Sequence, residues 1–130
     1  MPALIAKFHQ ARVPEKPFVT VWGSGKPKKE FLFIDNLAEA CHLILDRYDS
    51  DEPIIFGYGE DISIGNLAHL ISDIIDFIGE IQFDTSKPDG TRRKLLDSRK
   101  INSLGWKPRT ALKDGIARTY EWYKKSLEAS

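Results

Sequence analysis

The apolar residues of this chain repeat at two different spacings, and segments of the two kinds alternate along it. Runs with an apolar residue every three to four positions, which are typical of helices, begin near residues 2, 36, 64 and 110. Short alternating or continuous apolar runs, which are typical of strands, cover 18–22, 30–34, 53–59 and 80–84. This alternation predicts an α/β fold in which a small mixed sheet is flanked by helices.

The length and composition of the chain predict one globular domain that covers residues 1–130. Nineteen basic residues balance nineteen acidic ones, so no general affinity for nucleic acid or for a membrane surface is expected. The single cysteine excludes an internal disulfide and fits a reducing compartment. Because the sequence shows no signal peptide and no apolar run of spanning length, we expect a cytoplasmic protein.

Capping residues predict where two of the helices begin and end. Asp35 and Ser63 are each expected to cap the helix that follows, and Gly79 is expected just beyond the end of the second one. Cys41 and Leu45 are expected on the apolar face of the first of these helices. A cysteine in that position is interpreted as a small buried hydrophobe rather than a nucleophile.

The histidines and one tyrosine–lysine pair are interpreted as structural. His9, His42 and His69 lie on three different predicted helices without the spacing of metal ligands. Tyr120 and Lys124 have the Tyr-x-x-x-Lys spacing of the short-chain dehydrogenase catalytic pair. Since Tyr120 is predicted to face the core, we interpret the pair as packing residues.

The first candidate site is the segment 22–29, which reads WGSGKPKK. Its two glycines let backbone N–H groups turn towards an anion, its lysines offer charge to phosphate, and Trp22 could stack on a flat ring. The phosphate-loop motif is incomplete, because Thr20 stands where its first glycine should be, and no Gly-x-Gly-x-x-Gly opens a helix. A glycine-containing hairpin turn with solvated lysines and a buried tryptophan is the commoner explanation of such a pattern.

The second candidate site is the polar stretch 87–94, which reads KPDGTRRK. Asp89 could accept hydrogen bonds from sugar hydroxyls, and the basic residues after it could face phosphate. Taken alone, the pattern favours a tight turn followed by surface charges.

Several segments, taken in order, resemble the GDP-L-fucose synthase family of extended short-chain dehydrogenases over nearly the whole chain. The stretches WGSGKPKKEFL and DTSKPDGTRRKLLD carry the specific part of the resemblance, whereas FIDNLAEA and GWKP are shared more widely. The resemblance implies the C-terminal substrate-binding portion of such an enzyme, without the Rossmann fingerprint.

The resemblance also implies a ligand and a set of contacts. The family converts GDP-4-keto-6-deoxy-D-mannose to GDP-L-fucose by epimerisation and NADPH-dependent reduction. Its catalytic Ser/Tyr/Lys and Cys/His residues have no counterpart here, so this chain alone is expected to bind GDP-sugar, to bind no NADP and to be inactive. The implied substrate contacts are Lys7, Trp22, Lys29 and Asp89, with Trp22 at the GDP and Lys29 at the diphosphate.

The chain departs from the family pattern at four positions. Lys28 and Lys29 stand where two arginines are usual, which removes the bidentate guanidinium fork and lowers the expected affinity for diphosphate. Arg92 stands where a proline is usual, and Asn36 where an aspartate is usual.

Two other functions stay open on the sequence. The chain could be the detached half of another nucleotide-sugar epimerase or dehydratase, which would prefer UDP or dTDP to GDP. It could also be a non-catalytic interaction module or relic. Under each of these interpretations, including the leading one, the face that would pack on a Rossmann domain could support a homo-oligomer.

Overall fold

The computed structural model describes residues 1–13, 15–93 and 95–130. Its elements in chain order are α1 (Pro2–Arg12), β1 (Phe18–Trp22), β2 (Lys28–Glu30), α2 (Ile34–Arg47), β3 (Asp61–Ser63), α3 (Ile64–Ile75), β4 (Glu80–Asp84), α4 (Arg99–Ser103) and α5 (Leu112–Glu128). The predicted α/β class is therefore confirmed. Pro14, expected to end the first helix, and Lys94, the last residue of the second candidate site, lie outside the described residues.

The strands form two separate two-stranded sheets instead of one mixed sheet. β1 and β4 are parallel, with Val21 opposite Phe83, and β2 and β3 are antiparallel, with Lys29 opposite Ile62. The long connection from β1 to β4 contains β2, α2, β3 and α3, as a parallel pair requires. Because β1 and β2 pair with different strands, the glycine–lysine loop between them is not a hairpin turn.

Helix α3 lies at the centre of the main hydrophobic core. Its residues Leu67, Ile71 and Ile75 are completely buried, and both α1 and α5 pack against it. The ring of Phe8 on α1 meets that of Phe77 edge-on, with 5.5 Å between the centroids. The helical spacing of these apolar residues produces one continuous buried face, and hydrophobic burial holds the three helices together.

A hydrogen bond joins α5 to α1 at the edge of this core. Tyr120 is buried, and its hydroxyl lies 2.9 Å from Nδ1 of His9. Lys124 forms an ion pair with Glu121 at 2.7 Å, and its Nζ lies 5.0 Å from the centre of the Tyr120 ring. The interpretation of Tyr120 as a core residue is therefore confirmed.

A smaller cluster packs α2 against α4, and it corrects the predicted face of α2. Its buried members are Ala40, Ile101 and Trp106. Cys41 is exposed and Leu45 is 84% exposed, so the expectation that both lie on the apolar face is wrong. The buried residues of α2 are Asn36 and Ala40, which lies one residue before Cys41. Asn36, only 2% exposed, accepts a hydrogen bond from the Thr110 N–H at 3.1 Å. A polar side chain with a distant partner gives no apolar signal in the sequence.

The helix caps follow the prediction in one case and depart from it in two. The Ser63 hydroxyl caps α3 by accepting from the Asn66 N–H at 3.1 Å, as predicted. Helix α3 ends at Ile75, however, where Asp76 takes the left-handed conformation without a glycine. Asp35 lies inside the first turn of α2 instead of capping it, and it pairs with Arg118 at 3.0 Å.

Two of the predicted strands are displaced. The pairing of β2 stops at Glu30, and the apolar residues after it lead directly into α2, so 30–34 is not a strand. Residues 53–59 form no strand in the described part of the chain, and the strand that pairs is 61–63. An apolar run becomes a strand only where a neighbouring backbone accepts its hydrogen bonds, which an apolar pattern alone does not reveal. No helix in the described ranges combines the length and the apolar character needed to cross a membrane.

The core arrangement leads to a stability prediction. Phe8→Ala removes a fully buried ring between α1 and α3 and should lower the free energy of unfolding by about 3–5 kcal/mol. Leu45→Ala, at a position 84% exposed, is the matched control and should change it by less than about 0.5 kcal/mol. Urea unfolding followed by circular dichroism measures both, and equal effects of the two substitutions would contradict the docking of α1.

Candidate functional site

Both candidate sequence sites lie at one edge of the β1–β4 sheet. The two strands are parallel, so the loop after Trp22 and the loop after Asp84 leave the sheet at the same end. The Gly23 N–H donates to the Asp84 carbonyl at 2.9 Å, which extends the pairing into both loops. In sheets of parallel strands, ligand-binding residues commonly lie on loops at this carboxyl edge. The fold therefore brings together two segments about 65 residues apart in sequence.

The Asp89 carboxylate joins the two loops through Ser24. The Ser24 N–H donates to Asp89 Oδ1 at 2.7 Å, and the Ser24 hydroxyl donates to Oδ2 at 2.6 Å. The hydroxyl in turn accepts from the Lys26 N–H at 3.2 Å. The hydrogen bond from the Ser24 hydroxyl has the largest effect on the pKa of Asp89 and lowers it, followed by the hydrogen bond from the Ser24 N–H. The positive charges of Lys26 and Arg92 lower this pKa by smaller amounts. We call this pair of hydrogen bonds the Ser24–Asp89 clasp.

The two glycines of the first loop are required by close approaches. Gly23 has φ = +90°, and a Cβ there would lie 2.5 Å from Oδ1 of Asp89. Gly25 has φ = +76°, and a Cβ there would lie 2.6 Å from Cε1 of Phe83. A side chain at either position would therefore be strained and would also meet the opposite loop or β4. The Gly-x-Gly pattern serves the contact between the two segments.

The carbonyls of the same loop cap helix α3. Pro27 accepts from the Ile64 N–H and Gly25 accepts from the Gly65 N–H, each at 2.9 Å. Together with the Ser63 hydroxyl, they satisfy three of the N–H groups that a helix start leaves unpaired. The amino end of α3 is thus engaged by the loop and does not offer these N–H groups to a phosphate.

This arrangement does not fit the phosphates of a dinucleotide. A dinucleotide site needs a glycine turn that leads from a strand into the free amino end of a helix. Here the glycine turn leads from β1 into the strand β2, and its carbonyls occupy the start of α3. The glycine–lysine loop and the start of α3 therefore do not have the geometry of a dinucleotide phosphate site.

Trp22 is exposed and has two lysine side chains beside it. Its side chain is 67% exposed at the end of β1, so the alternative of a buried tryptophan is wrong. Lys7 Nζ donates to the Thr20 carbonyl at 2.8 Å and lies 5.8 Å from the centre of the Trp22 ring. Lys87 Nζ lies 5.2 Å from the same centre, within the range of cation–π attraction. An exposed aromatic ring with two flanking ammonium groups suits a ring-bearing anion.

Strand β2 places Lys29 beside the second loop. Its Nζ lies 3.8 Å from where a Cβ on Gly90 would stand, next to Asp89. Glu30, on the opposite side of the strand, accepts from the Leu96 N–H at 2.9 Å and from the Gly59 N–H. The hydrogen bonds of Glu30 hold one side of β2 in place, while Lys29 extends from the other side towards the loop that carries Asp89.

The second loop is also attached to β2 and β3. The Lys28 N–H donates to the Arg92 carbonyl at 2.8 Å. Arg93 Nε lies 2.6 Å from Oδ2 of Asp61, whose side chain is only 9% exposed. Part of the basic stretch therefore holds the loop in place and is not simply solvated charge.

All four residues that the resemblance assigns to the substrate lie at this edge. Lys7 lies beside Trp22, the clasp brings Asp89 to the residues after Trp22, and Lys29 lies beside the turn that carries Asp89. Sequence reasoning missed Ser24 and Glu30, whose partners are distant in sequence. Lys87 lies in the second candidate site, but its position beside Trp22 was not expected. The only sequence signal for Ser24 is its position between two glycines.

A large apolar cleft is a separate feature of the molecule. It has a volume of about 890 Å³ and lies between α5 and the segment that joins β2 to α2. Phe33 and Ile116 line it, Trp122 is 68% exposed at it, and the Arg118 guanidinium lies 4.7 Å from the centre of the Phe33 ring. The described residues contain no cluster of metal-ligating side chains, and His42 and His69 are exposed.

The comparisons with known proteins agree with this fold. The family model described as NAD dependent epimerase/dehydratase family matches residues 1–65, half of the chain. The chain belongs to that family.

The specific resemblance to GDP-L-fucose synthases is confirmed by the individual relatives. GDP-L-fucose synthase 1 of Arabidopsis thaliana is 46% identical over 98% of this chain. The NADP-bound structure of a GDP-L-fucose synthetase from Naegleria fowleri has a TM-score of 0.92 over 99% of the chain at 32% identity. The GDP-mannoheptose C4 reductase of Campylobacter jejuni, also with NADP bound, has a TM-score of 0.85 over 95% of the chain at 38% identity. The chain spans 39%, 41% and 44% of these three proteins.

The glycine contacts lead to a second prediction. Gly25→Ala should lower the free energy of unfolding by more than Gly59→Ala does, because both have positive φ but only Gly25 lies against another side chain. We expect about 1–2 kcal/mol from the strain alone at Gly59 and an additional loss at Gly25. Chemical denaturation of the two variants provides the comparison. Equal losses would mean that Phe83 moves aside freely.

Proposed function

We propose that this chain is the GDP-sugar-binding part of an enzyme of the GDP-L-fucose synthase type, and that alone it binds GDP-sugar without turning it over. The observation that carries the proposal is the edge of the β1–β4 sheet, where an exposed Trp22, three lysines and the Asp89 carboxylate converge on two mutually bonded loops. The GDP-sugar activities in the names of the relatives support the choice of ligand.

The side chains at this edge provide complementary contacts for a nucleotide sugar. Trp22 offers a flat apolar surface to the guanine or a sugar ring. Lys7, Lys29 and Lys87 offer point charges to the diphosphate. Asp89 keeps acceptor capacity for a hydroxyl, because each of its oxygens has two lone-pair sites and the clasp uses one on each.

A lysine at position 29 is expected to give a lower affinity for diphosphate than an arginine would. An ammonium group binds phosphate as a point charge, without the two parallel hydrogen bonds of a guanidinium. Lys29→Arg should therefore strengthen diphosphate binding if the backbone of β2 stays in place. The same reasoning predicts weak binding by the natural chain.

Turnover is not expected from the residues described. Tyr120, which has the spacing of a dehydrogenase tyrosine, is buried against α1 and bonded to His9. Its position serves packing, and the glycine loop does not fit a dinucleotide. Reduction with NADPH would then depend on residues that the described chain does not supply. The cytoplasmic location likewise stays a prediction.

The third prediction concerns nucleotide selectivity. The wild-type chain should bind GDP and GDP-mannose saturably in isothermal titration calorimetry, and UDP at least about tenfold more weakly. Trp22→Ala and Lys29→Ala should each weaken GDP binding by about tenfold, the size of one stacking or charge-assisted contact. Lys125→Ala, an exposed lysine in the last turn of α5, is the control and should bind like wild type.

Other results would select the other candidate functions. A preference for UDP or dTDP would indicate the substrate-binding half of another nucleotide-sugar epimerase or dehydratase. Absence of binding to every nucleotide, together with stable self-association, would indicate an interaction module. NADPH-dependent turnover by this chain alone would contradict the proposal of an inactive binding part.

The apolar cleft favours self-association as an additional property. The cleft of about 890 Å³ and the neighbouring Trp122, which is 68% exposed, form an apolar surface whose exposure to water is unfavourable. Two copies that place this face together would bury it.

The fourth prediction follows from that cleft. Trp122→Ala should shift the chain towards the monomer in sedimentation velocity over a concentration series. Leu127→Ala provides the matched control, because Leu127 is an exposed apolar residue on the same helix but is not part of the cleft. A wild-type chain that stays monomeric at every concentration would contradict self-association.

A further inference from the structure

We propose that Ser24 is a positioning residue of the nucleotide-sugar site, which holds the Asp89 carboxylate in a fixed orientation and locks the two binding loops together. The inference rests on the proposed function, because it concerns how the same site is organised. Ser24 would not be recognised from its contacts with a ligand, because its N–H and its hydroxyl both donate to Asp89.

The geometry of the clasp determines the orientation of the carboxylate. One residue donates to both oxygens, with its N–H at 2.7 Å from Oδ1 and its hydroxyl at 2.6 Å from Oδ2. Two hydrogen bonds to a planar group fix its rotation about the side-chain bonds, which one bond would leave free. A fixed carboxylate can accept from a ligand hydroxyl without first being ordered.

The clasp also fixes the loop that follows Trp22. The Ser24 hydroxyl accepts from the Lys26 N–H, so it links Asp89 to the backbone three residues beyond Gly23. Only glycine at position 23 leaves room for this contact, because a Cβ there would lie 2.5 Å from Asp89 Oδ1. Ser24 thus couples the segment that carries Trp22 to the segment that carries Asp89.

A second serine–aspartate pair in the same loops provides a matched comparison. The Ser86 N–H and hydroxyl both donate to Oδ1 of Asp84, and the hydroxyl bond lowers the pKa of that carboxyl. The pair has the same chemistry as the clasp, but its members are only two residues apart, at the end of β4 and in the loop that follows it. Ser86→Ala therefore removes a comparable hydrogen bond without uncoupling the two loops.

The test compares Ser24→Ala, Ser24→Thr, Asp89→Asn and the double variant Ser24→Ala/Asp89→Asn with Ser86→Ala. Calorimetry with GDP-mannose gives the dissociation constants, and urea unfolding of each variant shows that it is folded. We expect Ser24→Ala to bind about tenfold more weakly than wild type, the effect of losing one charge-assisted hydrogen bond. Ser24→Thr should restore binding, Ser86→Ala should stay within about twofold, and the double variant should bind no more weakly than Asp89→Asn.

Several results would overturn the inference while leaving the proposed function intact. Wild-type affinity in Ser24→Ala would show that the clasp does not position the site. Equal weakening by Ser24→Ala and Ser86→Ala would show a general loss of loop hydrogen bonds, and additive losses in the double variant would show that the two residues act independently.

Failure of the wild-type chain to bind GDP-mannose is a different outcome, which overturns the proposed function. The clasp is then tested without ligand, by a carbon-detected NMR titration of the Asp89 carboxyl. Ser24→Ala should raise the pKa of Asp89 towards that of an ordinary aspartate, because the hydrogen bonds of Ser24 lower it, and Ser24→Thr should keep it low. An unchanged pKa in Ser24→Ala would overturn the clasp as well.

Discussion

Burial of one face of α3 is the interaction on which the rest of this structure depends. Leu67, Ile71 and Ile75 are completely removed from water in a core to which α1 and α5 contribute. Each such side chain contributes on the order of 1.5–3 kcal/mol by burial. Because β3 leads into α3 and β4 follows it, the position of this helix also sets where both small sheets form.

The candidate site is a consequence of how α3 begins. The Gly25 and Pro27 carbonyls accept hydrogen bonds from the first N–H groups of α3. These bonds to the helix hold the glycine–lysine loop in its position. The parallel pairing of β1 with β4 then brings the second loop alongside, where Asp89 meets Ser24. Hydrophobic burial positions α3, and backbone hydrogen bonds position the glycine–lysine loop against it. The Asp89 carboxylate then joins that loop to the loop after β4. On that framework Trp22, Lys7 and Lys87 are exposed and Lys29 is half-buried.

Part of the exposed surface carries large apolar side chains, which are unusual on a face that only contacts water. Trp122 and Ile34 are 68% and 64% exposed at the large cleft, and Ile55 is 51% exposed in a segment whose sequence is typical of a strand. These residues have the character of a core and the exposure of a surface. The relatives are more than twice as long as this chain, and such faces are suited to packing against further protein.

What the sequence determined by itself is local. Helical periodicity predicted α1, α3 and α5, and the serine before an apolar run predicted the cap of α3, because these signals act over one or two turns. Motif resemblance selected Lys7, Trp22, Lys29 and Asp89, although it could not indicate how they meet. Only the tertiary structure decided that 53–59 pairs with no strand among the described residues, that Cys41 faces solvent and that Ser24 holds Asp89. Each of these depends on which distant backbone or side chain arrives as a neighbour, and that information is absent from any short window of sequence.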